Sequence, residues 1–99
     1  MDMEALMAQA AELQNKVAAA QEKLAQTNVK GIAGNGVCIV DMTGKYDVLK
    51  VTIHPSVLSQ GADAVSAAVL SAIKDAKEKA DVLIDKVMGE ATAGMPIPQ

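Results

Sequence analysis

The sequence predicts an α+β fold: a long N-terminal helix, a three-stranded antiparallel meander and a long C-terminal helix, with the helices projecting as an arm from a dimeric platform. Three observations predict it. Apolar residues recur at helical spacing towards both ends of the chain. Between them the period drops to two. Two tight turns containing glycine then divide that middle stretch into three strands.

The first helix rests on Met3, Leu6, Ala10, Leu13, Val17, Ala20 and Leu24, which alternate spacings of three and four with no Gly or Pro among them. That is an a/d heptad seam, about 35 Å long at about 1.5 Å per residue. Thr27 and Asn28 mark its end, where β-branched Val29 opens a new texture.

The middle stretch begins with a strand over Val29–Ala33 and a turn at Gly34-Asn35-Gly36, residues that tolerate positive φ. Val37–Met42 reads as the second strand and Thr43-Gly44-Lys45 as the second turn. In the third strand, Tyr46–His54, Leu49, Val51 and Ile53 alternate with Lys50, Thr52 and His54. Pro55 ends it, because proline cannot donate to a ladder.

Pro55–Leu58 reads as a turn or a single helical turn, and Gly61 with Asp63 opens the second long helix. Its seam is Val65, Val69, Ala72, Ala76, Ala80, Leu83 and Val87, with one extra spacing of four that locally straightens a supercoil. Gly89 is the expected C-terminal cap. Residues 1–89 therefore form one domain, and Glu90–Gln99, with Gly94, Pro96 and Pro98, reads as a flexible tail.

Two consequences concern assembly. A strand of six residues spans only about 20 Å, so helices of this length must overrun the sheet, where their seams can zip together as an antiparallel pair. The second strand is apolar on both faces: Val37 and Ile39 point one way, and Cys38, Val40 and Met42 the other. Helices on one side cover only one face, and a core with no Trp or Phe and a single Tyr buries little area per residue. The sequence thus predicts a homodimer joined through Val37, Cys38, Ile39, Val40 and Met42.

Composition narrows function. The net charge is −3, with nine lysines and no arginine, which excludes a strongly basic nucleic-acid binder but not a local basic stripe. His54 is the only histidine and Cys38 the only cysteine, so no His-based triad, two-His metal site or disulfide framework is available. The Gly31, Gly34, Gly36 cluster precedes a strand, not a helix, and reads as a hairpin, not a phosphate loop. The expectation is a protein that is not an enzyme, with no catalytic residues, metal, cofactor or small-molecule substrate. Met1–Ala10 carries Asp2 and Glu4 without a basic leader, and no apolar run nears the ~20 residues of a membrane span; the chain reads as cytoplasmic, with no membrane partner.

The lysines carry the remaining signal. Lys16, Lys23 and Lys30 are seven apart and would line one stripe on a continuous helix, and Lys79 and Lys86 repeat that spacing. Such stripes either follow phosphates as point charges or simply solvate a helix face. Met1–Lys30 holds three lysines against four acids and Ala62–Glu90 four against six, so physics alone favours solvation.

The stretch Val29–Leu58, V-K-G-I-A-G-N-G-V-C-I-V-D-M-T-G-K-Y-D-V-L-K-V-T-I-H-P-S-V-L, resembles the bacterial YbaB/EbfC nucleoid-associated proteins. So do the Met- and Gln-rich first helix, the Ala-rich last helix and the Gly94-Met95-Pro96 tail, and together these cover almost the whole chain. The resemblance implies a homodimer whose paired helices project like tweezers. It also implies binding of double-stranded DNA with little sequence preference, in the nucleoid, with effects on gene expression. It makes Lys16, Lys23, Lys30, Lys79 and Lys86 the candidate DNA contacts, and lysine-only contacts imply weak, salt-sensitive binding. The chain departs from the pattern in having His54 where the family commonly has Asp, and in lacking Arg. The alternative is a module whose helical arms grip a protein partner without binding DNA.

Overall fold

The computed structural model describes residues 2–93. Helix α1 spans Met3–Gln26, followed by strands β1 (Asn28–Ala33), β2 (Cys38–Thr43) and β3 (Val48–Ile53), a single-turn helix α2 (Pro55–Leu58) and helix α3 (Ala62–Ala91). The sheet is an antiparallel meander in the order β1-β2-β3.

Local chemistry sets the boundaries. The Asp2 side chain accepts from the Glu4 amide at 3.0 Å and caps α1. At the other end of α1 the Gly44 amide donates to Leu24 O at 2.9 Å and Thr27 O at 3.0 Å, so the second turn is docked onto the helix terminus. A Cβ at Gly44 would stand 2.8 Å from Leu24 O, so glycine is needed for that approach. Tyr46, expected at the start of the third strand, sits in the turn with φ +68°, and pairing begins at Val48. His54 caps α2 by accepting from the Ser56 amide at 3.1 Å.

The core lies between α3 and one face of the sheet. Ala72, Ala76 and Ala80 are fully buried against Ala33, Cys38, Val40 and Met42. Three alanines on one helix face allow a close approach, and Gly31 completes it from the sheet side. A second cluster joins the helices: Ala20 and Leu24 of α1 pack with Leu83, Ile84, Val87, Met88 and Ala91 of α3.

Two expectations change. Gly89 does not end the second helix, which continues to Ala91 and is capped by the Thr92 amide on Met88 O and Glu90 O. The reason is packing: Ala91 belongs to the interhelical cluster, and one glycine facing open space costs a helix only about 1 kcal/mol. Glu90 and Ala91 are thus helical, and the rest of the expected tail, from Gly94, lies outside the described residues. The seams also zip over only part of their length. The C-terminal half of α1 meets the last third of α3 antiparallel, while Met3, Leu6 and Met7 are 71%, 43% and 67% exposed. The molecule is 68 Å long, against about 45 Å for the 30 residues of α3, and the difference is the unaccompanied part of α1.

Candidate nucleic-acid interface

The five candidate lysines fall into two groups, because the chain leaves the helix at Gln26. Lys30 is on β1, so the stripe of three that one continuous helix would give does not form. Lys16 and Lys23 remain two turns apart on α1 and line a shallow groove with Ala19, Ala20, Val87 and Glu90 at the root of the arm. Lys16 is 3.5 Å from Glu12 one turn away, an exposed pair of small energetic weight. Among the described residues Lys23 and Lys86 make no ion pair.

Lys79 is engaged with the protein itself, while the Lys30 side chain stays largely exposed on the sheet. The Lys79 ammonium donates to the Lys30 carbonyl at 2.8 Å and pairs with Asp75 at 3.0 Å. Asp75 in turn accepts from the Ile32 amide at 2.8 Å. Lys30 O and Ile32 N lie on the edge of β1 that faces away from β2, so one ion pair of α3 occupies two of the backbone groups a neighbouring strand would use. That amide, and then Lys79, holds the Asp75 carboxyl below its ordinary pKa. Lys30 Nζ is 3.6 Å from Asp41 on the adjacent strand.

The edge of β3 has no such cover among the described residues. Register places Val48 opposite Met42, Val51 opposite Val40 and Ile53 opposite Cys38, on the helix side of the sheet. Yet α3 lies over β1 and β2, and Val48, Leu49 and Val51 are 46%, 58% and 42% exposed. A bulge between Asp41 and Met42 breaks the simple alternation read from Leu49, Val51 and Ile53. Of the five residues expected at a dimer interface, Cys38, Val40 and Met42 are buried under α3 of the same chain. Val37 and Ile39 keep exposed surface. The apolar strip of β3 escaped sequence reasoning because its pattern is that of a covered strand.

The Tyr46 hydroxyl donates to Asp81, tying the second turn to α3. This bond raises the Tyr46 pKa, assisted by partial removal from water and by the Asp81 and Asp85 charges. Among the described residues no cluster of three potential metal ligands forms, and no helix is long and apolar enough to cross a membrane.

A helical arm on a small sheet platform, with lysines at the arm root, is the architecture on which the comparisons bear. A family model for the YbaB/EbfC DNA-binding family matches residues 1–95. The chain belongs to the YbaB/EbfC family. It is similar to a nucleoid-associated protein of Neisseria meningitidis serogroup A, 38% identical over 94 residues that cover 92% of this chain and 85% of that one. Nucleoid-associated proteins of N. meningitidis serogroups C and B match to the same extent. Among solved structures, the crystal structure of an uncharacterized Helicobacter pylori protein superposes with a TM-score of 0.79 at 19% identity, covering 91% of this chain and 96% of that one. That likeness shows a shared fold.

Proposed function

We propose that this protein is a nucleoid-associated DNA-binding protein that works as a homodimer. It grips double-stranded DNA with its helical arms and has little sequence preference. The observation that carries the reading is membership of a DNA-binding family together with the arm: Lys16, Lys23 and Lys86 stand on the two helices of that arm, whereas Lys30 is on the sheet and the Lys79 ammonium is held by Asp75 and the Lys30 carbonyl. Lysine neutralises phosphate as a point charge and reads no base edge, so binding follows charge and shape more than sequence. The reading places the protein in the cytoplasm at the nucleoid, with gene expression affected through DNA occupancy. It assigns no catalytic step.

The dimer is supported by apolar surface left uncovered on both faces of the sheet, Val48 and Val51 on the helix side and Ile39 with Val37 on the other. The opposite edge, at β1, is partly covered by Asp75 and Lys79.

Fluorescence anisotropy on a random duplex over a salt series tests the function. Three lysines per subunit give about six neutralised phosphates per dimer, hence a log–log salt slope near −5. Equal affinity for unrelated duplexes is expected. No binding even at about 50 mM salt would overturn the reading and leave the arms as a grip for a protein partner.

A further inference from the structure

We propose that the distal half of α1 pairs antiparallel with the distal half of α1 in a second copy of this chain, through Met3, Leu6, Ala10 and Leu13, so that two arms join at their tips. The inference depends neither on the DNA reading nor on a contact through the sheet.

Three observations lead to it. First, the seam of α1 is one continuous surface, and only half of it is filled. Its proximal half, with Ala20 and Leu24, packs against α3 running antiparallel. Among the described residues nothing covers its distal half, where Met3, Leu6, Met7 and Ala10 are all exposed. A helical stretch of about two heptads without tertiary cover is marginal in water.

Second, the distal seam is complementary to itself. In an antiparallel pair each a position faces a d position of the other helix. Met3 then meets Leu13 of the second copy and Leu6 meets Ala10, and the two-fold axis repeats both contacts. On one flank Asp2 faces Lys16 of the second copy, twice, with Gln9 facing Gln9 between them. On the other flank Met7 faces Met7, which gives that exposed side chain a partner. Glu4 and Glu12 fall at outward positions and oppose nothing. A parallel pair would set Asp2 against Met7 and Lys16 against Gln21, with no charge match, so the charges select the antiparallel arrangement.

Third, α3 ends where the second copy would begin. Ala91 stands beside Lys16, Ala19 and Ala20, and α3 points towards the tip of α1 as it ends. The second copy's α1 would continue the line of α3 in the same direction, with its N-terminus next to the C-terminus of α3. The negative end of one helix dipole then meets the positive end of the other. One seam is thus packed from root to tip in a single antiparallel manner. Two heptads make an interface at the low end of the size range, so the contact is weak and forms where copies are concentrated. Lys23 and Lys86 lie outside the paired stretch.

Cross-linking of the full-length chain at high concentration tests this. Gln9→Cys stands at the two-fold axis, and a short bismaleimide should join two copies there, Cys38 being fully buried. Ala8→Cys, one residue away on the outward face, should give at least tenfold less product. Adding Leu6→Gln and Leu13→Gln to the Gln9→Cys chain should lower its yield to the Ala8→Cys level. Adding Lys16→Glu sets carboxylates against each other and should lower the yield several-fold. Asp2→Asn, which keeps the helix cap, should then restore most of it. Val51→Lys acts on the sheet and should leave the Gln9→Cys yield well above the Ala8→Cys level. In the parent, amide hydrogen exchange over Leu6–Leu13 should slow as protein concentration rises. Equal yields at positions 9 and 8 would overturn the proposal. So would protection of Leu6–Leu13 that ignores concentration, which would assign the seam to the chain's own residues.

Discussion

Gly31 of β1 lies directly against Ala76 of α3: a Cβ at Gly31 would stand 2.6 Å from the Ala76 Cβ, and 2.0 Å from the Ala72 carbonyl oxygen. The neighbours are backbone and a short side chain, with no flexible end to swing aside. Gly31→Ala must push the helix off the sheet, and a cost of about 2–3 kcal/mol is expected in urea denaturation. Gly89→Ala, on the same helix but facing open space, should instead stabilise by about 0.5–1 kcal/mol.

Tyr46 is the only aromatic residue, so its ionisation can be followed alone by ultraviolet absorbance. The Asp81 hydrogen bond raises its pKa, so its midpoint should lie above that of the urea-unfolded chain. The sign follows from the protonated form being favoured in the fold: the contribution is fully present below the unfolded pKa, and is lost as pH rises through the folded one. In Asp81→Asn the midpoint should move back towards the unfolded value.

Asp75 gives the opposite slope at the acid end. Its folded pKa is depressed, chiefly by the Ile32 amide, so its contribution is present above the ordinary carboxylate pKa and disappears as pH falls through the folded value. Urea midpoints measured between about pH 5 and pH 2 should fall less steeply for Asp75→Asn than for the parent. A parent and variant with parallel profiles would show that the edge contact carries no pH-dependent stability.

Val51→Lys and Val40→Lys should fail differently. Val40 is fully buried within one chain, so a lysine there puts an unpaired charge in the core and should unfold it. Val51 is 42% exposed, so Val51→Lys should keep helicity and shift sedimentation from about 20 kDa to the 10.2 kDa monomer. Monomeric parent protein at about 100 μM would remove the dimer.

Lys16→Ala with Lys23→Ala should flatten the salt slope of DNA binding by roughly 3–4 per dimer, and weaken all duplexes alike. Lys79→Ala should leave the slope unchanged, because its ammonium is held by Asp75 and the Lys30 carbonyl. A steeper loss from Lys79→Ala than from the double variant would move the contact from the arm to the platform.

The sequence by itself determined the element order, the meander and the overrunning helices, because each is written in local periodicity. The seam from Met3 to Leu24, the turns at Gly34 and Gly44 and the alanines of α3 leave few alternatives for backbone shape. The resemblance over almost the whole chain located the family. Only the tertiary structure decided which apolar positions are covered. A period of two says that Val40 and Val51 share a face, but not that α3 stops short of β3 and buries one while leaving the other in water. A spacing of seven aligns Lys16, Lys23 and Lys30 only while the helix lasts, and it ends at Gln26. The capture of Lys79 by the Lys30 carbonyl joins residues 49 apart, a pairing no local rule can see. Covering and pairing are long-range events, set by where the chain returns in space and not by the residues on either side.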